Sequence, residues 1–456
     1  MKKFLYIGMI CISGIIHGYR VPQVSLEITY AAVDQFLSTF EKFPETLRVP
    51  QHRTCWKVLV YMEADNDLYP FSLKDLQEMM VVGSNDNLSI LVQFDGLGDK
   101  AFTKRLLIQK GKIYELGTFD SKLDGGSAET LTDFCLWAHT EFPSENTALV
   151  LWNHGSGVLD PSRGRPFNSA ELFSLNPVSN MLELDRSIGL FEYLERRGVC
   201  FNDTFGTFLS NQKLDFALNN IVKGMGKKLD VIAFDACLMS MIEIADYARF
   251  YANYMVSSEE VEPGTGWFYD KTLAPLAAGR MSPHDFACHA VESYRKGYVS
   301  NTRDFTQSAL DLQQVTPLLK AVHKISSLLL TAIQAQLNGS VETAIIHALD
   351  SRHCTRFAEP SYVDLGHFLR NLQLVIPLMH VQSGQTSLLQ QLNSAVSDAL
   401  QLYNRAVIAN VHGSSLPNAT GLAIYFPSNY LGAAYQDTFF YKENNWGKLL
   451  NHFFLR

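Results

Sequence analysis

The chain of 456 residues carries 46 acidic and 38 basic residues, which gives a formal net charge of −8. This balance, without a long Lys/Arg run, argues against binding to nucleic acid, and a hydrophobic fraction of 47% excludes a mostly disordered chain. The length predicts two or three domains, and the seven cysteines form no Cys-x-x-Cys pair that would indicate a zinc ribbon or a thioredoxin-like motif.

The first residues predict an export signal. Lys2 and Lys3 precede an apolar run from Phe4 to Ile16, which is shorter than the ~20 residues that a membrane-spanning helix needs. We assign residues 1–18 to a signal peptide, so the mature protein would be periplasmic, on the cell surface or secreted, with no stable membrane span. A buried helix or strand is the alternative. Residues 19–54 form an N-terminal extension.

Alternating strands and helices then predict an α/β domain over residues 55–282, with a mainly parallel sheet flanked by helices. The predicted strands are Trp56–Met62, Leu88–Phe94, Thr147–Trp152, Leu229–Phe234 and Tyr254–Ser258, with a hairpin of Phe102–Ile108 and Lys112–Leu116. The predicted helices are Phe71–Met80, Leu131–Thr140, Leu214–Val222 and Ser240–Phe250. Residues from about 158 to 228 form a polar, proline-containing segment, which we interpret as an insertion into this domain.

The remainder of the chain, residues 283–456, is more helical or mixed. Long helical patterns cover Val315–Leu337 and Ser387–Ala409, and Gly421–Phe426 is typical of one more strand. The sequence therefore predicts a second, C-terminal domain.

Two of the predicted strands end in residues that carry chemistry. The third strand is followed by Asn153, His154 and Gly155, and the fourth by Asp235 and, two residues later, Cys237. Ligands of open α/β sheets bind at the carboxyl ends of strands, and a Cys with a distant His is typical of a cysteine hydrolase. Each residue also has a plainer interpretation, the His as a turn residue and the Cys as a small buried hydrophobe.

The sequence also indicates how such a pair would react. Cys237 immediately precedes a predicted helix, whose N-terminus would lower the pKa of the thiol and offer N–H groups to an oxyanion. Gly155 would let the backbone approach a substrate closely. His154 would supply the proton for the leaving amine.

Six segments of the chain, in order, resemble the clostripain family of cysteine peptidases, which is grouped with caspases, legumains, gingipains and separase. The segments are Tyr61–Leu68, Leu149–Gly157, Phe234–Met239, Ser258–Trp267, Tyr362–Leu365 and Thr420–Pro427. The resemblance implies a caspase-like catalytic domain. It departs from the family pattern at Asn153, where the family often has Asp.

The resemblance implies a His154–Cys237 dyad with the backbone N–H groups of Gly155 and Cys237 as oxyanion donors. It places Asp235 in the primary specificity pocket, where a carboxylate would pair with a guanidinium. We therefore expect cleavage after Arg, with Lys second. The alternative role for Asp235 is that of a helix N-cap.

Two further features follow from the resemblance. Glu259 and Glu260 lie in a segment that would line the cleft and attract basic substrates, or else form a solvated edge. Relatives are commonly activated by self-cleavage between the His and the Cys, and Arg163 and Arg165 are the first candidate sites. We expect the protein to be a monomer or, if it is cut, a self-cleaved heterodimer, and an uncut loop is the alternative.

No cofactor is required by this chemistry. Some relatives depend on calcium, however, and the nearest local hint is Asp65-Asn66-Asp67, which lacks the glycine and distal Glu of an EF-hand loop. We therefore assign no metal ligand and keep calcium dependence open.

Taken together, the sequence predicts an exported cysteine endopeptidase that acts on proteins or peptides with basic residues. Two alternatives remain. One is a non-catalytic surface or binding protein with the same fold, and the other is a transpeptidase that uses the same dyad and forms a new amide instead of a free carboxylate.

Overall fold

The computed structural model describes residues 35–44, 53–97, 102–119, 121–158, 169, 173–176, 181–184, 198–350, 352–379, 386–427 and 431–454. The predicted signal peptide and the two candidate cleavage sites, Arg163 and Arg165, lie outside these residues. The described part of the 158–228 insertion includes two hairpins and one helix.

A mixed sheet of 10 strands is the framework of the fold. In chain order the strands are β1 (Glu41–Lys42), β2 (Thr54–Ala64), β3 (Leu88–Gly96), β4 (Phe102–Gln109), β5 (Lys112–Thr118), β6 (Ser144–Trp152), β7 (Phe173–Leu175), β8 (Leu182–Leu184), β9 (Val199–Asn202), β10 (Thr207–Leu209), β11 (Leu229–Asp235), β12 (Ala252–Ser257), β13 (Thr306–Asp311), β14 (Tyr362–Asp364), β15 (Val407–His412) and β16 (Ala423–Tyr425). The order in the large sheet is β1-β5-β4-β3-β2-β6-β11-β12-β13-β15. Three small two-stranded sheets, β7–β8, β9–β10 and β14–β16, lie outside it.

The centre of the sheet is parallel. Strands β3, β2, β6, β11 and β12 run in one direction, whereas β4, β13 and β15 pair antiparallel with their neighbours. The central strands are buried along almost their whole length, as expected for parallel strands covered on both faces. The predicted α/β fold with flanking helices is confirmed, and the sheet is mixed because antiparallel strands extend both sides.

Helices cover the sheet and dominate the C-terminal region, as predicted. They are α1 (Tyr69–Val82), α2 (Ala128–Glu141), α3 (Asn211–Met225), α4 (Ile242–Ala248), α5 (Tyr269–Ala278), α6 (Pro283–Tyr298), α7 (Leu312–Ala332), α8 (Asn338–Leu349), α9 (Leu365–Val375), α10 (Thr386–Ala406), α11 (Ala433–Gln436), α12 (Phe439–Glu443) and α13 (Asn445–Phe454). A π-helical turn, Ile333–Leu337, and a 3₁₀ turn, Ile376–Leu378, extend α7 and α9. Among the described residues, none of the helices has the length and apolar character needed to span a bilayer.

One boundary in the C-terminal region was predicted incorrectly. The pattern Ser387–Ala409 indicates a single helix, but α10 ends at Ala406 and the chain continues as strand β15. Strand β13, which sequence reasoning missed, pairs with β12 on one side and β15 on the other. The region after residue 282 therefore supplies two strands to the same sheet, and the division into two domains stays a prediction.

Candidate active site

The strands that carry the predicted catalytic residues are neighbours. Strands β6 and β11 pair in parallel with Trp152 opposite Asp235, and the backbone N–H of Asn153 donates to the carbonyl of Asp235 at 3.3 Å. Because the segments that follow β6 and β11 leave the sheet at this point, His154 and Cys237 lie at the same edge. A Cβ on Gly155 would lie 2.5 Å from the carbonyl oxygen of Cys237, so a glycine is needed for this close approach.

The imidazole of His154 is buried and held on two sides. Its Nε2 lies 2.6 Å from Oδ1 of Asp67, and its ring stacks on Phe173 with centroids 4.2 Å apart. Burial tends to raise the pKa of Asp67, but the charge and hydrogen bond of His154 outweigh it and bring the pKa below its usual value. The Nδ1 atom has no partner among the described residues.

Asn153 occupies the position before the His where the family often has an acid. Its hydrogen bonds explain why an amide is suited to this position. Its side-chain NH₂ donates to the carbonyls of Glu63 and Phe201, and its Oδ1 accepts from the N–H of Phe201 at 2.8 Å. A carboxylate has no donor for these two carbonyls. Asn153 therefore ties strand β9 to the strand end that carries His154.

Cys237 is almost fully buried, and its Sγ accepts the backbone N–H of Glu262 at 3.1 Å. The expected position at a helix N-terminus is wrong, because α4 begins at Ile242 with Met241 as its N-cap. The expected lowering of the thiol pKa is also wrong for this structure. Burial, together with the nearby carboxyl groups of Glu262 and Glu260, raises the pKa well above that of an ordinary cysteine.

Asp235 is buried beside Cys237 and is well supplied with donors. Its carboxylate accepts the backbone N–H of Trp267 at 3.1 Å and the hydroxyl of Tyr269 at 2.9 Å. Burial raises the pKa of Asp235 to about 6 in spite of these hydrogen bonds. Because α4 is capped by Met241, the alternative role of Asp235 as an N-cap is not seen.

Glycine at position 266 makes room for this carboxylate. Gly266 has a φ of +52°, and a Cβ there would lie 2.7 Å from Oδ1 of Asp235. Two features of the sequence motif, the acid before the Cys and the Gly-Trp of the later loop, therefore meet in one place. The Asp235 carboxylate and this loop therefore pack against each other beside Cys237.

Glu259 and Glu260, predicted to bind substrate, are engaged elsewhere. Glu259 accepts the backbone N–H of Gly421 at 2.9 Å, and Glu260 accepts the backbone N–H of Ala358 at 2.9 Å. These hydrogen bonds attach the loop after β12 to the C-terminal region. Their carboxylates therefore have a structural role, and the third acid of the segment, Glu262, is the one beside Cys237.

The side chains of Asp65, Asn66 and Asp67 do not converge on a common point. Asn66 binds the carbonyl of Phe201 and the N–H of Leu68, and Asp67 binds His154. Asp65 does lie near two other buried acids, Glu63 and Asp95. However, the ammonium of Lys122 lies 2.6 Å from Asp65 and 3.2 Å from Asp95, so a cation of the chain already binds two of these acids and the fit to calcium is poor.

Part of the insertion covers the site. Phe173 in β7 stacks on His154, and Met181, next to β8, forms a bridge with Pro263 in the loop that contains Glu262. The hairpin β7–β8 thus contacts both halves of the site, which agrees with the nearly complete burial of His154, Asp235 and Cys237.

The comparison with protein families shows to which family this chain belongs. The model of the clostripain family matches residues 60–181 and 190–453, which include every residue of the site described above. The chain belongs to the clostripain family, a family of cysteine peptidases.

Individual members of the clostripain family have low sequence identity to this chain. Clostripain of Hathewaya histolytica is 26% identical over 254 residues, which span 49% of this chain and only 42% of that protein. A secreted C11 cysteine protease from Bacteroides thetaiotaomicron, solved with an irreversible peptide inhibitor, superposes with a TM-score of 0.57 at 20% identity, covering 88% of this chain and 99% of that one. An inactive zymogen C11 protease from Parabacteroides distasonis gives 0.56 at 18% identity, covering 86% and 99%. These structures show that the fold is shared.

Sequence reasoning missed three members of this clostripain-family site. Asp67 lies in the first matching segment, but its sequence context points to calcium and not to a contact with His154. Glu262 lies in the fourth matching segment, where the sequence does not distinguish it from Glu259 and Glu260. Phe173 carries no sequence signal, because its contact with His154 depends on how the insertion folds back.

Proposed function

We propose that this protein is a cysteine endopeptidase that cleaves after Arg, and less readily after Lys. The observation that carries the proposal is the placing of Asp235, Cys237 and His154 at one edge of the sheet, on adjacent strands in register. The Asp235 carboxylate is two residues from the thiol and would pair with the guanidinium of the substrate.

We assign each step of the proposed reaction to a residue of this site. The Cys237 sulfur attacks the scissile carbonyl, and the backbone N–H groups of Cys237 and Gly155 stabilise the oxyanion. His154, anchored through Nε2 by Asp67, presents Nδ1 and protonates the leaving amine. Water then releases the new carboxylate from the acyl-enzyme. Because burial raises the pKa of Cys237, the thiolate forms readily only when the site opens.

The hairpin β7–β8 covers the site, and this supports activation by self-cleavage. The hairpin β7–β8 contacts the imidazole through Phe173 and the Glu262 loop through Met181. A cut between His154 and Cys237 would release this hairpin, and Arg163 or Arg165 is our proposed site. The active form would then be a heterodimer of two fragments.

We also propose that the protein is exported through residues 1–18. The basic start and the apolar run of the sequence support this. The basis is independent of the site, so failure of export would leave the peptidase proposal intact.

The test uses the purified protein and fluorogenic peptides that end in Arg, Lys, Asp or Asn, with Cys237→Ala as the control. We expect Cys237-dependent turnover, highest for Arg. No turnover by the intact or self-cleaved protein, with or without calcium, would refute the peptidase function and favour a non-catalytic binding protein. Turnover confined to Asp or Asn peptides would refute the role of Asp235. Mass spectrometry of the products separates the transpeptidase, because it forms a new amide with an added amine.

A further inference from the structure

We propose that Glu262 is a second acid of the specificity pocket, which shares one proton with Asp235 in the empty site and gives up that proton when a basic side chain binds. This inference rests on the proposed peptidase function. It assigns the choice between cationic and neutral side chains to a pair of carboxyl groups instead of one.

Glu262 is fixed at the site by its own backbone. Its N–H donates to Sγ of Cys237 at 3.1 Å, and its side chain is 2% exposed. The carboxyl groups of Glu262 and Asp235 are neighbours, and each shifts the pKa of the other. The two acids therefore approach the nucleophile from different elements, Asp235 from the end of β11 and Glu262 from the loop after β12.

Two buried carboxyl groups in contact cannot both be ionised without a cation. Asp235 has the donors, Trp267 N–H and Tyr269 hydroxyl, and is the ionised member. Glu262 receives only the amide of Gln307 at 3.3 Å on Oε1, and no donor among the described residues serves Oε2. Burial, and next the charge of Asp235, raise the pKa of Glu262 well above its usual value, so Glu262 holds the proton.

The surroundings do not supply the missing positive charge. The titratable or charged groups that face the pair are Lys74, Asp75, Glu78, Cys237, Glu260, Tyr269, Tyr294 and Tyr298. Lys74 is the cation of this set, and it is paired with Glu78 at 2.7 Å. The pocket therefore has buried acids in excess of cations.

The guanidinium of an Arg side chain would supply the positive charge that these acids lack. It brings one positive charge and five N–H donors, and the acceptors that await donors are the two carboxyl groups and Oε1 of Gln307, which is buried without a partner in the described structure. On binding, the cation replaces the shared proton, which leaves to solvent, so the charge of the pocket is conserved. A lysine ammonium brings the charge with fewer donors, which accounts for the expected preference for Arg.

The first test compares the wild type with Glu262→Gln on peptides that end in Arg or in citrulline, the uncharged isostere of Arg. Gln keeps the shape and can donate to Asp235, but it cannot ionise. We expect KM for the Arg peptide to rise about 10- to 100-fold with kcat changed only a few-fold, and the ratio of kcat/KM for Arg over citrulline to fall. Glu292→Gln removes an exposed acid of α6 and should leave both values unchanged. An unchanged Arg-to-citrulline ratio in Glu262→Gln would overturn the proposal.

The second test does not depend on the folding of that variant. Cys237→Ala, which retains both acids, is titrated calorimetrically with a peptide that ends in an Arg amide, in buffers of different ionisation enthalpy at neutral pH. We expect release of about one proton per bound peptide, and no release when Glu262→Gln is added. Binding without proton release would overturn the proposal while leaving the peptidase function intact, whereas absence of any Cys237-dependent cleavage by the wild type would instead refute that function.

Discussion

Nε2 of His154 lies 2.6 Å from Oδ1 of Asp67, which is on the loop between β2 and α1, 87 residues earlier in the chain. The contact fixes the orientation of the imidazole, because the other described contacts of the ring are with the aromatic rings of Phe173 and Phe201. Asp67 is ionised at neutral pH, since His154 brings its pKa below the usual value against the effect of burial. In the proposed reaction it would therefore stabilise the imidazolium of His154 as the general acid.

The Asp67→Asn variant should lose activity without losing the fold. The amide can hold the imidazole in the wrong tautomer and carries no charge, so we expect kcat to fall at least about tenfold with KM little changed. Steady-state kinetics on the Arg peptide measure the effect, with thermal unfolding as the check on folding. An unchanged kcat would show that the orientation of His154 does not depend on this contact.

The central part of the fold could be predicted from the sequence because its signals are local. The predicted strands Thr147–Trp152 and Leu229–Phe234 lie within β6 and β11 and end within one residue of their last residues. Neighbouring parallel strands bring their carboxyl ends to one edge of the sheet, so the rough placing of His154 and Cys237 follows from these strands alone.

The finer features depend on contacts between distant segments and could not be predicted. Cys237 precedes an apolar sequence that predicts a helix. However, Leu238 has a φ of +62°, and the helix begins only at Ile242. Similarly, Val407–Ala409 continue a helical pattern, but their pairing with β13 makes them a strand. In both places tertiary contacts override local preference.

The hairpin β7–β8 should limit the reactivity of Cys237 in the uncut chain. We expect iodoacetamide at pH 8 to label Cys237 at least about tenfold more slowly than the half-buried Cys55 and Cys288, because burial raises the pKa of the Cys237 thiol. The chain is kept intact by Arg163→Ala and Arg165→Ala, and labelling is followed by mass spectrometry.

Adding Phe173→Ala to this background should speed the labelling of Cys237, because it removes the ring that covers His154. Phe216→Ala, which shortens an exposed side chain of α3, is the matched control and should have no effect. Labelling of Cys237 as fast as that of Cys288 in the intact chain would contradict the covering role of the hairpin.

The Gly266→Ala variant should affect both stability and specificity. A φ of +52° costs a residue with a Cβ about 1–2 kcal/mol, and the new Cβ would also meet the Asp235 carboxylate at 2.7 Å. We expect lower stability in urea unfolding and a loss of Arg preference, measured as the ratio of kcat/KM for Arg over citrulline peptides.

Gly226 provides a matched control. It has a φ of +68° at the end of α3, and a Cβ there meets nothing within 4 Å. Gly226→Ala should therefore show the cost of the backbone conformation with kcat/KM unchanged. Equal kinetics for the two variants would mean that Asp235 does not depend on the space that Gly266 leaves.

Glu243 should make the protein less stable as the pH rises. Its carboxyl group, on α4, accepts the N–H of Tyr425 and the hydroxyl of Tyr435, and burial raises its pKa from 4.5 to about 7. Between these two values the unfolded chain loses the proton while the folded chain keeps it, so stability falls with pH over this range and levels off above it. Glu243→Gln does not titrate, and its stability relative to the wild type should therefore rise from pH 4.5 to 7, by at most about 3 kcal/mol. Urea unfolding at several pH values measures the difference, and a difference that stays constant over this range would show that Glu243 titrates alike in both states.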